Sequence, residues 1–321
     1  MTTSNAMKEL QPMSAPATET ADTERTWPAI LGLTVTAALW AGNALVARAT
    51  ADAIPPVALA FWRWSLPLLY LLPYTLWVWR RYREVILAHR RRLLGLSIFS
   101  ITTYNTLLYL AAQYTTAINI TLVSASMPLI TVALSALLLG SLPTRAQGLG
   151  ALLALSGVLI ILTRTEWQVL AQLSFNPGDL IMLVSILSWS IYSVLLKRWP
   201  VPIPGFPLLC LLITIGAPLI LPFYLWEWAF KGGFELTTNT LGALAYVGVL
   251  PSVVAYFLWN RGVARIGPAN AALFFYLIPV FAAVIAVPVL GEQLAGYHLA
   301  GAGFILLGLY LASRRQRARQ Y

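Results

Sequence analysis

Arg63 stands between Trp62 and Trp64 in a long apolar run and is the one base of the chain that falls inside such a run. A guanidinium at hydrocarbon depth costs about 2.5–3.5 kcal/mol on insertion scales, so it needs either a partner or a route to water. Two readings follow. Arg63 is a counter-charge for the carboxylate of a solute, or it snorkels to the interface, which lies about six residues or roughly 9 Å away along a helix. The eleven acids, among them Asp52, Glu84, Asp179, Glu227 and Glu292, fall in tails, loops or the ends of apolar runs. Proton exchange through a deep carboxylate therefore has no residue to carry it. The only histidines, His89 and His298, are far apart, and no metal-ligand spacing, phosphate loop or catalytic cluster is present. Catalytic residues, a metal and a cofactor are accordingly not expected. Gly148-x-Gly150 and Gly301-x-Gly303 are incomplete as dinucleotide fingerprints and read instead as helix-packing positions.

Polar and aromatic residues recur at helical spacing. Trp40 and Asn43 are three apart, Asn105 and Tyr109 four, Tyr256 and Asn260 four, and Trp189 precedes Tyr192 and Ser193 by three and four. Each set shares a helix face. An amide facing lipid would cost free energy without return, so these faces are expected to line a central cavity together with Tyr104, Ser124 and Tyr276. Aromatic walls with a few amides and hydroxyls suit a neutral zwitterion with a large apolar side chain. The alternative is interfacial Trp and Tyr with hydrogen bonds between helices. Pro128 and Pro279, mid-span at matched positions, are expected hinges, because proline removes a helix hydrogen bond.

The elements that would position these residues follow from composition. Of 321 residues, 59% are hydrophobic and 10% charged, against about 45–50% and about 25% in a soluble domain. Most of the chain must therefore face lipid. With about 20 apolar residues needed per crossing, spans fall near 28–48, 57–79, 93–113, 116–138, 146–163, 178–196, 207–226, 239–259, 269–290 and 297–313. With the N-terminus inside, 17 of the 21 Lys and Arg lie on the cytoplasmic side, and the far side holds Arg48, Arg164 and Lys231. Dropping one span would send the later basic clusters to the wrong side. Because the bases flank spans instead of forming one patch, the net charge of +10 does not point to nucleic acid. The expectation is an all-α protein of ten transmembrane helices in a bacterial inner membrane, multi-pass, monomeric, with both termini cytoplasmic.

Shifting the chain on itself by 151 residues aligns Asn119 with Asn270, Pro128 with Pro279, Gly140 with Gly291, Gly150 with Gly301 and Gly157 with Gly308. Trp40 and Trp189 correspond at 149, each followed eight residues later by a base, Arg48 and Lys197. Five spans per repeat is odd, so the second copy must enter from the opposite face and the halves are inverted. The expected organisation is a disordered leader over 1–26, repeats over 27–164 and 165–313, and a basic tail over 314–321. Such duplication suits alternating access and argues for transport over catalysis.

The segments "ALWAGNALVAR" with Trp40, Gly42 and Asn43, "FWRW" at 61–64, and "ARIGPANAALFFYLIPVFAAVIAVPVLGEQLAGYHLAGAGFILLGLYL" at 264–311 resemble the EamA-type repeats of the drug/metabolite transporter superfamily. The resemblance covers nearly the whole chain after residue 27. It implies a ten-helix exporter of metabolites such as amino acids, and within the superfamily the chain is similar to the YddG-like exporters of aromatic and other bulky neutral amino acids. One departure is Ser141, where the second half carries the family's Glu as Glu292. A broad drug or metabolite exporter shares the architecture, and a membrane-embedded enzyme is the contrasting class.

Overall fold

A computed structural model describes residues 17–115, 117–172, 176–290 and 295–314, and every regular element among them is helical. We number the long helical runs α1 (Ala17–Ala49), α2 (Pro56–Arg81), α3 (Arg90–Ser97, a π-helical stretch Ile98–Thr103, then Tyr104–Ala111) and α4 (Ala117–Ser124 and Met127–Leu139). There follow α5 (Arg145–Thr163), α6 (Pro177–Arg198), α7 (Gly205–Lys231) and α8 (Thr238–Val249, a π-helical stretch Leu250–Val254, then Ala255–Ile266). The last are α9 (Pro268–Ala272, a 3-10 turn Leu273–Leu277, then Ile278–Leu290) and α10 (Gly296–Arg314).

Eight described helices are long and apolar enough to cross a membrane. The two runs outside that group are α2 and α10. Tryptophan, tyrosine, proline and Arg63 lower the hydropathy of α2, and the apolar part of α10, Gly296–Ala312, is slightly short. Helix starts are encoded locally. Thr144 and Gln147 close a capping box on α5, and Asn176 and Asp179 close another on α6 with Pro177 in the first turn. Gly140 ends α4 at φ 67°, a left-handed conformation that favours glycine.

Three boundaries differ from expectation. Helix α1 begins at Ala17, inside the segment read as a leader, because Ala, Glu and Arg propagate a helix already nucleated by the apolar span. Helices α7 and α8 run past their expected ends, to Lys231 and Ile266, because a helix need not stop where the hydrocarbon does.

The internal repeat has two registers. A shift of 149 lays α1 and α2 on α6 and α7, pairing Pro28 with Pro177, Trp40 with Trp189, Pro73 with Pro222, Trp77 with Trp226 and Trp79 with Trp228. A shift of 151 lays α3, α4 and α5 on α8, α9 and α10. It superposes the two π-helical stretches, and it matches the interruption of α4 at 125–126 with the 3-10 turn of α9.

The contacts between halves follow a twofold relation. Gly150 meets the backbone of Gly308 where α5 crosses α10, and Gly157 meets that of Gly301. The register converts the first pair into the second, as a twofold axis requires. A Cβ at any of the four would collide with a carbonyl oxygen across the crossing, so these glycines let the two backbones touch. Gly148 and Gly303, the outer members of the two Gly-x-Gly pairs, have open space around them. The same relation holds in hydrogen bonds. Thr36 Oγ1 donates to Ala255 O at 3.2 Å, and its equivalent Ser185 Oγ donates to Tyr104 O at 2.7 Å.

Candidate functional site

Proline at the start of α2 sets its first turn, and Glu227 of α7 accepts from Ala58 N at 2.8 Å, satisfying a backbone donor that the helix itself cannot. Two turns on, Arg63 is 1% exposed. It does not snorkel. Its Nε donates to Ser252 Oγ at 2.7 Å, Nη1 to Asn43 Oδ1 at 2.8 Å and Tyr109 Oη at 2.7 Å, and Nη2 to Pro251 O at 3.2 Å. Tyr109 Oη in turn donates to Asn43 Oδ1 at 3.0 Å. The Trp64 ring lies 5.4 Å from the guanidinium carbon. Every partner is neutral, and among the described residues no carboxylate lies within ion-pairing distance. The guanidinium is held in place by dipoles while its charge stays uncompensated, an arrangement suited to an anionic guest.

Residues Ser252 and Pro251 belong to the π-helical stretch of α8, where the looser turn turns a carbonyl and a hydroxyl toward α2. Sequence reasoning missed both. The signal was a proline in the middle of an apolar run.

Arg63 lines a cavity of about 140 Å³. Of the residues expected there, Trp40, Asn43, Tyr104, Asn105, Ser124 and Tyr276 line it too, joined by the expected hinge residue Pro279 and by Phe275, Thr121, Met127 and Val158, which periodicity did not single out. The Tyr276 hydroxyl has no hydrogen-bond partner among the described residues. Tyr109 touches the cavity wall through Asn43 and Arg63.

The remaining expected residues are closed off from this space. Trp189, Tyr192, Ser193, Tyr256 and Asn260 are buried in the packed centre. There the Trp40 ring meets Trp189 at 5.2 Å, Trp259 at 5.4 Å and Phe275 at 5.1 Å, and Trp189 meets Tyr256 at 5.0 Å. Ser193 is bonded back to Trp189 O and offers nothing outward. Tyr192 Oη donates to Asn260 Oδ1 at 2.6 Å. The aromatic cluster thus separates the first half's polar wall from the second half's.

The two prolines do not kink continuous helices. Pro128 and Pro279 each open the second segment of an interrupted helix, where a missing N–H costs little, and the irregular turns precede them. Glu292 lies outside the described residues, and Ser141 Oγ bonds to Ser135 O at 3.1 Å. Two buried acids occupy helix ends away from Arg63: Glu227, described above, and Asp179, which accepts from Thr115 Oγ1 at 2.5 Å, Asn176 N at 2.8 Å and Asn119 Nδ2 at 3.1 Å.

Comparison with known proteins places this geometry. The sequence profile of the EamA-like transporter family matches residues 27–163 and 176–314. An uncharacterized transporter, YyaM of Bacillus subtilis, is 28% identical over 278 residues, 86% of this chain and 90% of that protein. A probable terminal-alkyne amino-acid exporter of Streptantibioticus cattleyicolor is 26% identical, covering 68% and 71%. A probable amino-acid metabolite efflux pump of Salmonella typhimurium is 28% identical, covering 56% and 62%. A protein crystal structure superposes with a TM-score of 0.69 at 22% identity over 91% of this chain and 98% of that one, a likeness of fold.

Proposed function

This chain belongs to the EamA-like transporter family, and on that premise we propose that it exports bulky or aromatic neutral amino acids and related small metabolites by alternating access between its two halves. In this reading α1 to α10 are ten spans in two inverted sets of five, with both termini cytoplasmic, in the inner membrane of a bacterium. The observation that carries the substrate class is Arg63, a buried cation with only neutral partners, on a cavity walled by Trp40, Tyr104, Phe275 and Tyr276.

A substrate carboxylate would offset the guanidinium charge, and the aromatic walls would take an apolar side chain. Among the described residues no acid lines the cavity, so a solute of net positive charge would meet Arg63 without compensation. The names of two relatives point the same way, one as an amino-acid exporter and one as an amino-acid metabolite efflux pump. The cavity is smaller than the roughly 300–1,000 Å³ usual for ligand pockets, so binding parts α1, α4 and α9.

The test is counterflow in proteoliposomes with labelled phenylalanine and tryptophan against phenylalaninamide and a cationic dye, with and without a pH gradient. We expect the two amino acids to move and the amide, which lacks the carboxylate, to move at least about tenfold less efficiently. Transport of the dye but of neither amino acid overturns this reading in favour of a drug exporter.

A further inference from the structure

The twofold relation between the halves fails around the central tryptophans. It sends Trp40 to Trp189, Pro251 to Ser100, Asn43 to Tyr192 and Tyr109 to Asn260. In the first half Trp40 Nε1 donates to Pro251 O at 3.1 Å, and Tyr109 bonds Asn43 on the cavity wall. In the second half the phenol and amide have changed places, and Tyr192 bonds Asn260. The mirror of the tryptophan bond is missing. Ser100 O accepts instead from Tyr256 Oη at 3.0 Å and Asn105 Nδ2 at 3.4 Å, leaving Trp189 Nε1 without a partner among the described residues.

Two further donors of the same cluster have no partner among the described residues, Asn260 Nδ2 and Trp259 Nε1. Their residues are 6% and 1% exposed, and Trp189 is fully buried. The rings hold together, Trp189 lying 5.2 Å from Tyr192 and 5.5 Å from Trp259. Buried N–H donors without acceptors are costly, and three in one aromatic nest call for an acceptor that this state lacks.

We propose that Trp189, Tyr192, Trp259 and Asn260 form a second substrate subsite, closed in this structure and reached from the face opposite the Arg63 cavity, which takes the substrate carboxylate on neutral N–H donors. The inference rests on the amino-acid reading above. It also carries a polarity. At the register position of Arg63 the second half has the buried Leu212. One face therefore holds the carboxylate on a fixed cation and the other on indole and amide dipoles alone, so the two faces of one carrier differ in affinity, the Arg63 face being the tighter.

The experiment measures KM for phenylalanine on each face of the full chain, in membrane vesicles of the two opposite orientations. Asn260→Leu should raise KM about tenfold on one face and leave the other within about twofold, while Arg63→Gln does the reverse. Equal effects on both faces, or none, overturn the subsite. A second readout covers variants that fold poorly. With the single native cysteine removed as Cys210→Ala, Asn43→Cys and Asn260→Cys should react with a membrane-impermeant thiol reagent from opposite faces, each protected by phenylalanine. Labelling from the same face overturns the proposal. A wild-type chain that carries no amino acid overturns the amino-acid reading instead. The sidedness of Asn260→Cys labelling then still decides whether the cluster opens.

Discussion

Asn105 and Tyr256 occupy the same position in the two halves, 151 residues apart, and they meet: Asn105 Nδ2 donates to Tyr256 Oη at 2.7 Å. A residue in contact with its own equivalent lies on the twofold axis. Trp40 and Trp189 do the same through their rings. The polar bond is the more telling because both residues are almost wholly buried, and Tyr256 Oη in turn donates a hydrogen bond to Ser100 O.

Removing the phenol should therefore be felt as stability. Tyr256→Phe leaves Asn105 Nδ2 with only a 3.4 Å contact to Ser100 O, at a cost of about 1–3 kcal/mol. We expect a lowered thermal midpoint for the purified protein. Combined with Asn105→Leu, the double change should cost less than the two single costs added, since the partners vanish together.

Arg63→Lys should behave as a loss. The charge survives, but an ammonium cannot reproduce a planar fork that serves Ser252, Asn43, Tyr109 and Pro251 at once. Phenylalanine counterflow should fall at least about tenfold in kcat/KM, close to the level of Arg63→Gln. Full activity in the lysine variant would mean that charge alone matters and that the fork is incidental.

How much of this was legible in the sequence depends on range. The helical runs were, because hydrocarbon thickness sets their length: eight of the described helices are long and apolar enough to cross a membrane, and most of the expected ends fall within a few residues of the helix ends. The gapless 151-residue shift was legible as well, since three glycines, one proline and one asparagine fall in a single register. The cavity was legible in half. Period 3.6 puts Asn43 and Asn260 on inward faces alike, but it cannot say which of the two faces open space, and in the structure Asn43 lines the cavity while Asn260 is packed into the buried centre. Arg63 was undecided between two readings because its neutral partners come from α1, α3 and α8, up to 189 residues away.

The α5–α10 crossing should discriminate sharply between glycines. Gly157→Leu would push a branched side chain into the Gly301 backbone and Ile305, and we expect little folded protein by size-exclusion chromatography. Gly303→Ala, on the same helix pair with open space around it, should be neutral or stabilising by about 0.5–1 kcal/mol, since alanine restricts the unfolded chain more than glycine.

Pro279 bears on motion. It lines the cavity and opens the segment Ile278–Leu290 directly after the 3-10 turn of α9, as Pro128 follows the interruption of α4. A 3-10 turn is a poorer hydrogen-bonding arrangement than an α-turn, and proline, lacking an N–H, prevents its conversion to regular helix. Pro279→Ala restores the donor and allows α9 to run straight through the cavity wall. If the irregular turn is where α9 bends between the two open states, the variant should lose several-fold in maximal rate with little change in KM, because exchange between states slows while the binding groups stay in place. Counterflow rates, read beside thiol labelling of Asn43→Cys and Asn260→Cys in the same background, check this. Normal transport with unchanged labelling from both faces would remove the hinge from α9 and leave Pro279 as a helix start and nothing more.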